Sequence, residues 1–201
     1  MAVLLADQAS KFWVKLNMYM NQQIHVFGDW FIIHFTENPG MAFGLEFGGF
    51  YGKLFLTLFR IVFVFFIVRF VLALIKDGAP KGGVIAVTLI LAGAIGNIID
   101  SVFYGVIFSE SFHQVATLFP EGGGYAPWLH GRVVDMLYFP IIKGYLPDWV
   151  PFYGGDYFVF FRPIFNIADS AITVGVFIIL LFYRRYFTAY FNKEDEKKTN
   201  G

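Results

Sequence analysis

Between Leu54 and Ile75 lies a run of 22 residues interrupted only by Thr57, Arg60 and Arg69. A helix of that length crosses the roughly 30 Å hydrocarbon core of a bilayer with every backbone polar group bonded internally. Each arginine stands six positions from one end of the run, so each side chain can extend to its nearer surface. A second apolar run starts at Val84 and continues past Asp100. A third extends from Ile164 to Phe187 and is closed by Arg184 and Arg185. The predicted spans are 54–75, 84–104 and 164–186. Composition agrees: the 201 residues are 57% hydrophobic, 21% aromatic and 15% charged, against about 25% charged in soluble domains. Lys+Arg and Asp+Glu balance at 15 each, which leaves no basic field to hold nucleic acid. Cysteine is absent, which excludes disulfides, thiolate metal sites and thiol nucleophiles.

The N-terminal stretch is less apolar. Met1–Ala6 is followed by Asp7, Gln8, Lys11 and Lys15. It carries neither the basic region nor the small-residue cleavage site of a signal peptide. Met1–Met20 reads as the outer half of a further span, at 1–17, whose inner half is missing from this chain or misassigned in it. Lys and Arg are missing from the loop before Gly52 but present at Lys76, Lys81, Arg184, Arg185, Lys193, Lys197 and Lys198. By the positive-inside rule these latter segments face the cytoplasm, and 18–52 and 105–163 face outward. The expected architecture is an all-α integral membrane protein with four transmembrane helices in a single domain, 1–191. Gln23–Phe27 and Trp30–Thr36 alternate around Gly28-Asp29, the pattern of a β-hairpin. The Gly-, Pro- and aromatic-rich stretch from Ser109 to Pro163 predicts irregular insertions on the outer bilayer surface. The polar residues 192–201 predict a disordered cytoplasmic tail.

Ionisable groups within spans are costly and mark functional sites. Two spans repeat one pattern, Asn97-Ile98-Ile99-Asp100 and Asn166-Ile167-Ala168-Asp169, and the i, i+3 spacing sets each pair on one helix face. Along a helix, Asp100 lies about 24 Å from Val84 and Asp169 about 22 Å from Arg184. Both acids therefore reach the outer hydrocarbon edge. Gly93-Ala94-Ile95-Gly96 would let the two helices approach closely. Asp135 is a third carboxylate, set in an apolar run. Plainer roles exist for each: Asn as interhelical glue, Asp7 and Lys11 as an i, i+4 ion pair, Asp135 as a turn closure. Other chemistries lack their residues. His25, His34, His113 and His130 are scattered, and neither His-Glu-x-x-His nor Gly-x-Ser-x-Gly occurs, so no metal site is expected. A proton-coupled transporter and a structural scaffold remain as rivals. The first is disfavoured by acids near one surface and no inverted repeat.

Five blocks in chain order resemble the lipoprotein signal peptidase (signal peptidase II) family of bacterial aspartic membrane endopeptidases. They are Asp7-Gln8-Ala9-Ser10-Lys11, Asn38-Pro39-Gly40-Met41-Ala42-Phe43, Gly93 to Asp100, Gly131 to Asp135, and Phe165-Asn166-Ile167-Ala168-Asp169. The resemblance implies that Asp135 and Asp169 are the catalytic dyad. It implies that Asn38, Gly40, Asn97, Asp100 and Asn166 support or line the site, together with Asp7 and Lys11 of the first block, and that a small extracytoplasmic β-structure is present. The implied substrates are diacylglyceryl-modified prolipoproteins, cleaved N-terminal to the lipidated cysteine. Membrane lipid is then a partner, globomycin an inhibitor, and no cofactor is expected. The implied location is the bacterial inner membrane, with both termini cytoplasmic and the site toward the periplasmic face. Ser101 departs from the family, which carries Arg after the Asp of the third block; Arg132 is expected to supply that charge. The intervals from Asp100 to Gly131 and from Asp135 to Phe165 are longer than the family's. Two carboxylates held close in low dielectric share one proton, which predicts a bell-shaped pH profile belonging to the pair.

Overall fold

The computed structural model describes residues 1–39 and 49–199, with side chains described to Lys193. Gly40 of the second block lies outside the described residues. Helix α1 (Ala2–Asn17) leads into strands β1 (Gln23–Phe27) and β2 (Phe31–Asn38). Two long helices follow, α2 (Gly49–Lys76) and α3 (Lys81–Ile107). Next come β3 (Val133–Tyr138), β4 (Ile142–Tyr145), β5 (Tyr157–Phe160) and β6 (Ile164–Phe165). Helix α4 (Ile167–Ile178) continues through a π-helical turn at Ile179–Tyr183 into α5 (Arg184–Thr199).

Three helical stretches are long and apolar enough to cross a membrane: Gly49–Lys76, Lys81–Ile107 and Ile167–Lys193. On α2 the rings of Phe55, Phe59 and Phe63 stack at one-turn intervals, 6.4 Å between centroids, on an exposed face suited to lipid. The sequence predicts four spans; α1 is not among the helices that length and composition qualify. Its 16 residues cover about 24 Å, and Asp7, Lys11 and Lys15 are buried against protein. The last helix runs on to Thr199.

Helices α3 and α4 lie close because glycine lines their contact. A Cβ at Gly93 would collide with the carbonyl of Ala168, and one at Gly175 would lie 2.5 Å from the carbonyl of Ala86. The small-residue run thus acts as close packing requires. Near the loop between α2 and α3, Ile67, Val71, Leu74, Val87 and Phe187 form one apolar core. A second core joins α1, the end of α3 and the sheet through Val14, Met18, Phe35, Tyr104, Phe108, Val134 and Met136.

The hairpin around Gly28-Asp29 forms as the alternation predicts, with a bulge at His25/Phe27. It belongs to an antiparallel sheet of order β1-β2-β3-β6, which pairs Thr36 with Asp135 and Asn38 with Val133. The stretch 109–163 is more regular than its Gly and Pro content predicts. Ser109–Arg132 is largely turn and coil, but 142–160 folds into a separate two-stranded sheet, β4-β5. The aromatic and β-branched run Tyr157-Phe158-Val159-Phe160 has high strand propensity, and its pairing partner lies across a Pro-bounded turn.

Candidate active site

Helix α4 starts at Asn166, whose extended backbone (φ −122°, ψ −179°) suits an N-cap. Its Oδ1 accepts the N–H of Asp169 at 2.8 Å, and Asp169 Oδ2 accepts the N–H of Asn166 at 3.4 Å. This reciprocal capping box satisfies two orphan donors of the first turn and aims the Asp169 side chain back toward the helix start. The other end of the Asn166 amide points across to β3. Its Nδ2 donates to Asp135 Oδ1 at 2.7 Å and lies 3.2 Å from the carbonyl of Val134 and 3.1 Å from Asn97 Oδ1.

Asn97 on α3 closes the circuit, with Nδ2 donating to Asp169 Oδ1 at 2.8 Å and Oδ1 receiving Lys11 Nζ at 2.9 Å. Asn38 at the end of β2 donates to Asp135 Oδ2 at 3.3 Å. Both carboxylates are thus held by amide donors from neighbouring elements, and Asn166 touches both. Burial and the nearby charge of Asp169 push the Asp135 carboxyl up to about 7, partly countered by the donors Asn38 and Asn166 and by Lys11.

Asp100 is placed differently. It is fully buried; Oδ1 accepts Gln8 Nε2 at 3.0 Å, and Oδ2 accepts Lys11 Nζ at 2.7 Å and the N–H of Val134 at 3.2 Å. With its lone pairs engaged, it positions β3 one residue before Asp135. Lys11 also pairs with Asp7 Oδ2 at 2.9 Å, so its three donors meet Asp7, Asp100 and Asn97 and its hydrogen-bonding capacity is filled. Asp7 Oδ1 in turn accepts the N–H of Ala168 at 2.8 Å, where the α4 dipole favours negative charge. The ion pair read from the i, i+4 spacing is present, as one half of a triad. Asp100 begins a π-helical turn through Tyr104, a local widening common at functional positions.

Arg132 pairs with two acids. Its guanidinium forks onto Glu110 at 2.8 and 3.1 Å and reaches Glu37 Oε2 at 2.8 Å. The cation that reaches Ser101 is Lys53 of α2, whose Nζ donates to the carbonyl of Pro39 at 2.7 Å and lies 3.5 Å from Ser101 Oγ. The physical reason is direction: Arg132 precedes β3 and faces the acids Glu37 and Glu110, whereas Lys53 on the first turns of α2 projects beside α3. Glu37 also receives Lys15 Nζ at 2.6 Å, so two acids and two bases tie α1, β2 and the segment 109–132 together. Arg132 holds Glu110 below the ordinary carboxylate range.

Seven predicted residues therefore converge with Lys11: Asp7, Asn38, Asn97, Asp100, Asp135, Asn166 and Asp169. Sequence reasoning missed Gln8, Glu37 and Lys53. Gln8 carried a signal, since it sits inside the first block between the two ion-pair partners. Glu37 is the one acid of the strand Phe31–Asn38. Lys53, at the edge of a long apolar run, reads as an ordinary interfacial lysine.

The fold and this cluster define a class: a multi-pass membrane protein whose carboxylates and amides from several helices and a small sheet meet at one helix end. The signal peptidase (SPase) II family profile matches residues 1–185. A lipoprotein signal peptidase of Porphyromonas gingivalis is 52% identical over 183 residues, covering 91% of this chain and 80% of that protein. One from Amoebophilus asiaticus is 42% identical over 178 residues, covering 87% and 71%. A bacterial membrane enzyme solved by the in meso method at 2.3 Å resolution superposes with a TM-score of 0.59 at 26% identity, covering 90% of this chain and 81% of that one. The chain belongs to the signal peptidase II family. It is a hydrolase, an aspartic peptidase of a bacterial membrane.

Proposed function

We propose that Asp135 and Asp169 jointly hold the hydrolytic water of a reaction that removes the signal peptide from diacylglyceryl-modified prolipoproteins, cutting on the N-terminal side of the lipidated cysteine. The observation that carries this reading is the single amide of Asn166, bonded to Asp135 on one side and capping Asp169 on the other. Family membership points to the substrate class.

The raised Asp135 carboxyl suits a pair that shares one proton. The ionised partner takes a proton from water as it attacks the scissile carbonyl, whose oxygen is hydrogen-bonded by the protonated partner. A proton then passes to the leaving amine, and no covalent intermediate forms. Asn38 and Asn97 orient the carboxylates, and Asp100 with Lys11 fixes the backbone beside Asp135. A site at the end of α4, beside apolar helices, gives acyl chains a place among the spans while the peptide bond meets water. In this reading α1 crosses the membrane as the fourth span, with both termini cytoplasmic and the acids toward the periplasm.

Purified protein in detergent, given a lipidated precursor peptide, should release the signal peptide, and globomycin should block the release. A transporter or scaffold makes no product. Absence of product with a substrate that a related family member cleaves under the same conditions overturns the proposal.

A further inference from the structure

The β4-β5 hairpin is a small sheet with two unlike faces. Directly opposed residues share a face in an antiparallel pair. Ile142 with Phe160 and Gly144 with Phe158 make one face; Lys143 with Val159 and Tyr145 with Tyr157 make the other. The first face is wholly apolar, the second carries an ammonium and two phenol hydroxyls. Among the described residues nothing covers the apolar face: Ile142 is 59% exposed, Phe158 40% and Phe160 50%. Leu146–Asp156 closes the tip through bonds between Leu146 and Asp156 and between Gly155 and Leu146. The tip presents Trp149, Tyr153 and Phe152, the last 99% exposed.

Its root is fixed at the end of a span. The chain leaves the four-stranded sheet after Tyr138 and returns at Ile164, and these two residues are paired. Two positions further is Asn166, the N-cap of the membrane-crossing helix α4. An isolated two-stranded hairpin is marginal in water, and tryptophan and tyrosine concentrate at the headgroup level of bilayers. An amphipathic element anchored at that level buries its apolar side in the acyl boundary and leaves its charged side among headgroups.

We infer that residues 141–161 form a membrane-docking paddle that lies in the bilayer interface beside α4, its Ile142-Phe158-Phe160 face and Phe152 tip in lipid and its Lys143-Tyr145-Tyr157 face toward headgroups and water. The occupant of this surface is the lipid bilayer. The inference holds whichever reaction the site performs.

The chain has no cysteine, so single nitroxide labels can be placed cleanly at Phe152→Cys, Phe160→Cys and Lys143→Cys. The full chain is reconstituted into phosphatidylethanolamine/phosphatidylglycerol vesicles. Labels at 152 and 160 should collide preferentially with oxygen and be shielded from an aqueous nickel chelate, and the label at 143 should show the reverse ratio. Equal access of the chelate to all three positions overturns the inference. So does immobilisation with shielding from both reagents, which marks a protein partner or a second copy. Trp149 offers an independent reading after Trp13→Phe, Trp30→Phe and Trp128→Phe, all at exposed positions. Its fluorescence should be quenched by acyl-brominated lipid, and unquenched emission overturns docking.

Discussion

Asn166 donates to Asp135 at 2.7 Å while its own carbonyl oxygen caps the N–H of Asp169 at 2.8 Å. The residue whose side chain starts a helix thereby also connects Asp135 to Asp169, 34 residues apart in sequence, with its backbone N–H meeting the Asp169 carboxylate. Helix initiation and site geometry rest on one amide.

Asn166→Ala should therefore weaken two things at once. Loss of an N-cap costs about 1 kcal/mol of stability, and the Asp135 carboxylate loses its 2.7 Å donor. We expect a fall in kcat larger than the rise in KM, with a modest drop in melting temperature. A variant that unfolds more easily yet turns over normally would separate Asn166 from the chemistry.

Asp135→Asn and Asp169→Asn should each reduce cleavage of a lipidated precursor by at least the 10²–10⁴-fold typical of a lost proton-transfer group, with insertion into the membrane unchanged. Normal turnover by either variant refutes the shared-water proposal.

Burial and Asp169 raise the Asp135 carboxyl from 3.8 to about 7. The folded chain then keeps a proton that the unfolded chain has released, so this group's contribution to stability is complete below 3.8 and lost as pH rises through about 7. Thermal unfolding of Asp135→Asn in detergent should show a flatter pH dependence over that interval than the parent protein. In the same direction, kcat should decline on the alkaline side of about 7 as the shared proton leaves. Activity climbing steadily into strong alkali excludes a shared proton.

Removing Lys11 strands two buried acids. Breaking a buried ion pair from one side costs about 3–5 kcal/mol, so Lys11→Met should lower the melting temperature sharply. Lys11→Met combined with Asp100→Asn should recover part of the loss, because one uncompensated charge is removed. Equal melting of the single and double variants would show that the triad is not coupled.

Lys53 approaches Ser101 and the carbonyl of Pro39, next to Asn38, whereas Arg132 pairs with Glu37 and Glu110. We expect Lys53→Met to impair turnover more than Arg132→Met. The Arg132–Glu110 contact is about one-third exposed on each side, where ion pairs are worth roughly 0–1 kcal/mol, and Lys15 still compensates Glu37. The opposite ranking in a peptide-cleavage assay would restore Arg132 to the role the sequence suggests.

The three long spans, the first hairpin and the convergence of two Asn-x-x-Asp faces are legible in the sequence. Each depends on a local property: apolar run length, period-two alternation, or i, i+3 spacing with a depth counted along the helix. The paired role of Asp7 and Lys11 is half legible, because spacing sets them on one helix face but does not reveal that Asp100 completes the triad. The missed residues share a cause. Lys53, Glu37 and Gln8 act across gaps of 14 to 95 residues, and no local pattern encodes such contacts. The pairing of Arg132 with Glu37 and Glu110 is hidden for the same reason, since proximity in sequence to Gly131 and Asp135 says nothing of the direction a side chain takes.

By itself the sequence determined that this chain lives in a bilayer, since no water-soluble arrangement hides that much apolar surface. It also determined which residue types were left to do chemistry. Tertiary structure alone decided which cation faces which acid, that the stretch between β3 and β6 contains an amphipathic hairpin, and that one asparagine joins Asp135 to Asp169. Hydropathy and periodicity act along the chain, whereas hydrogen bonds and ion pairs are chosen by the directions in which side chains meet once helices and sheet have packed.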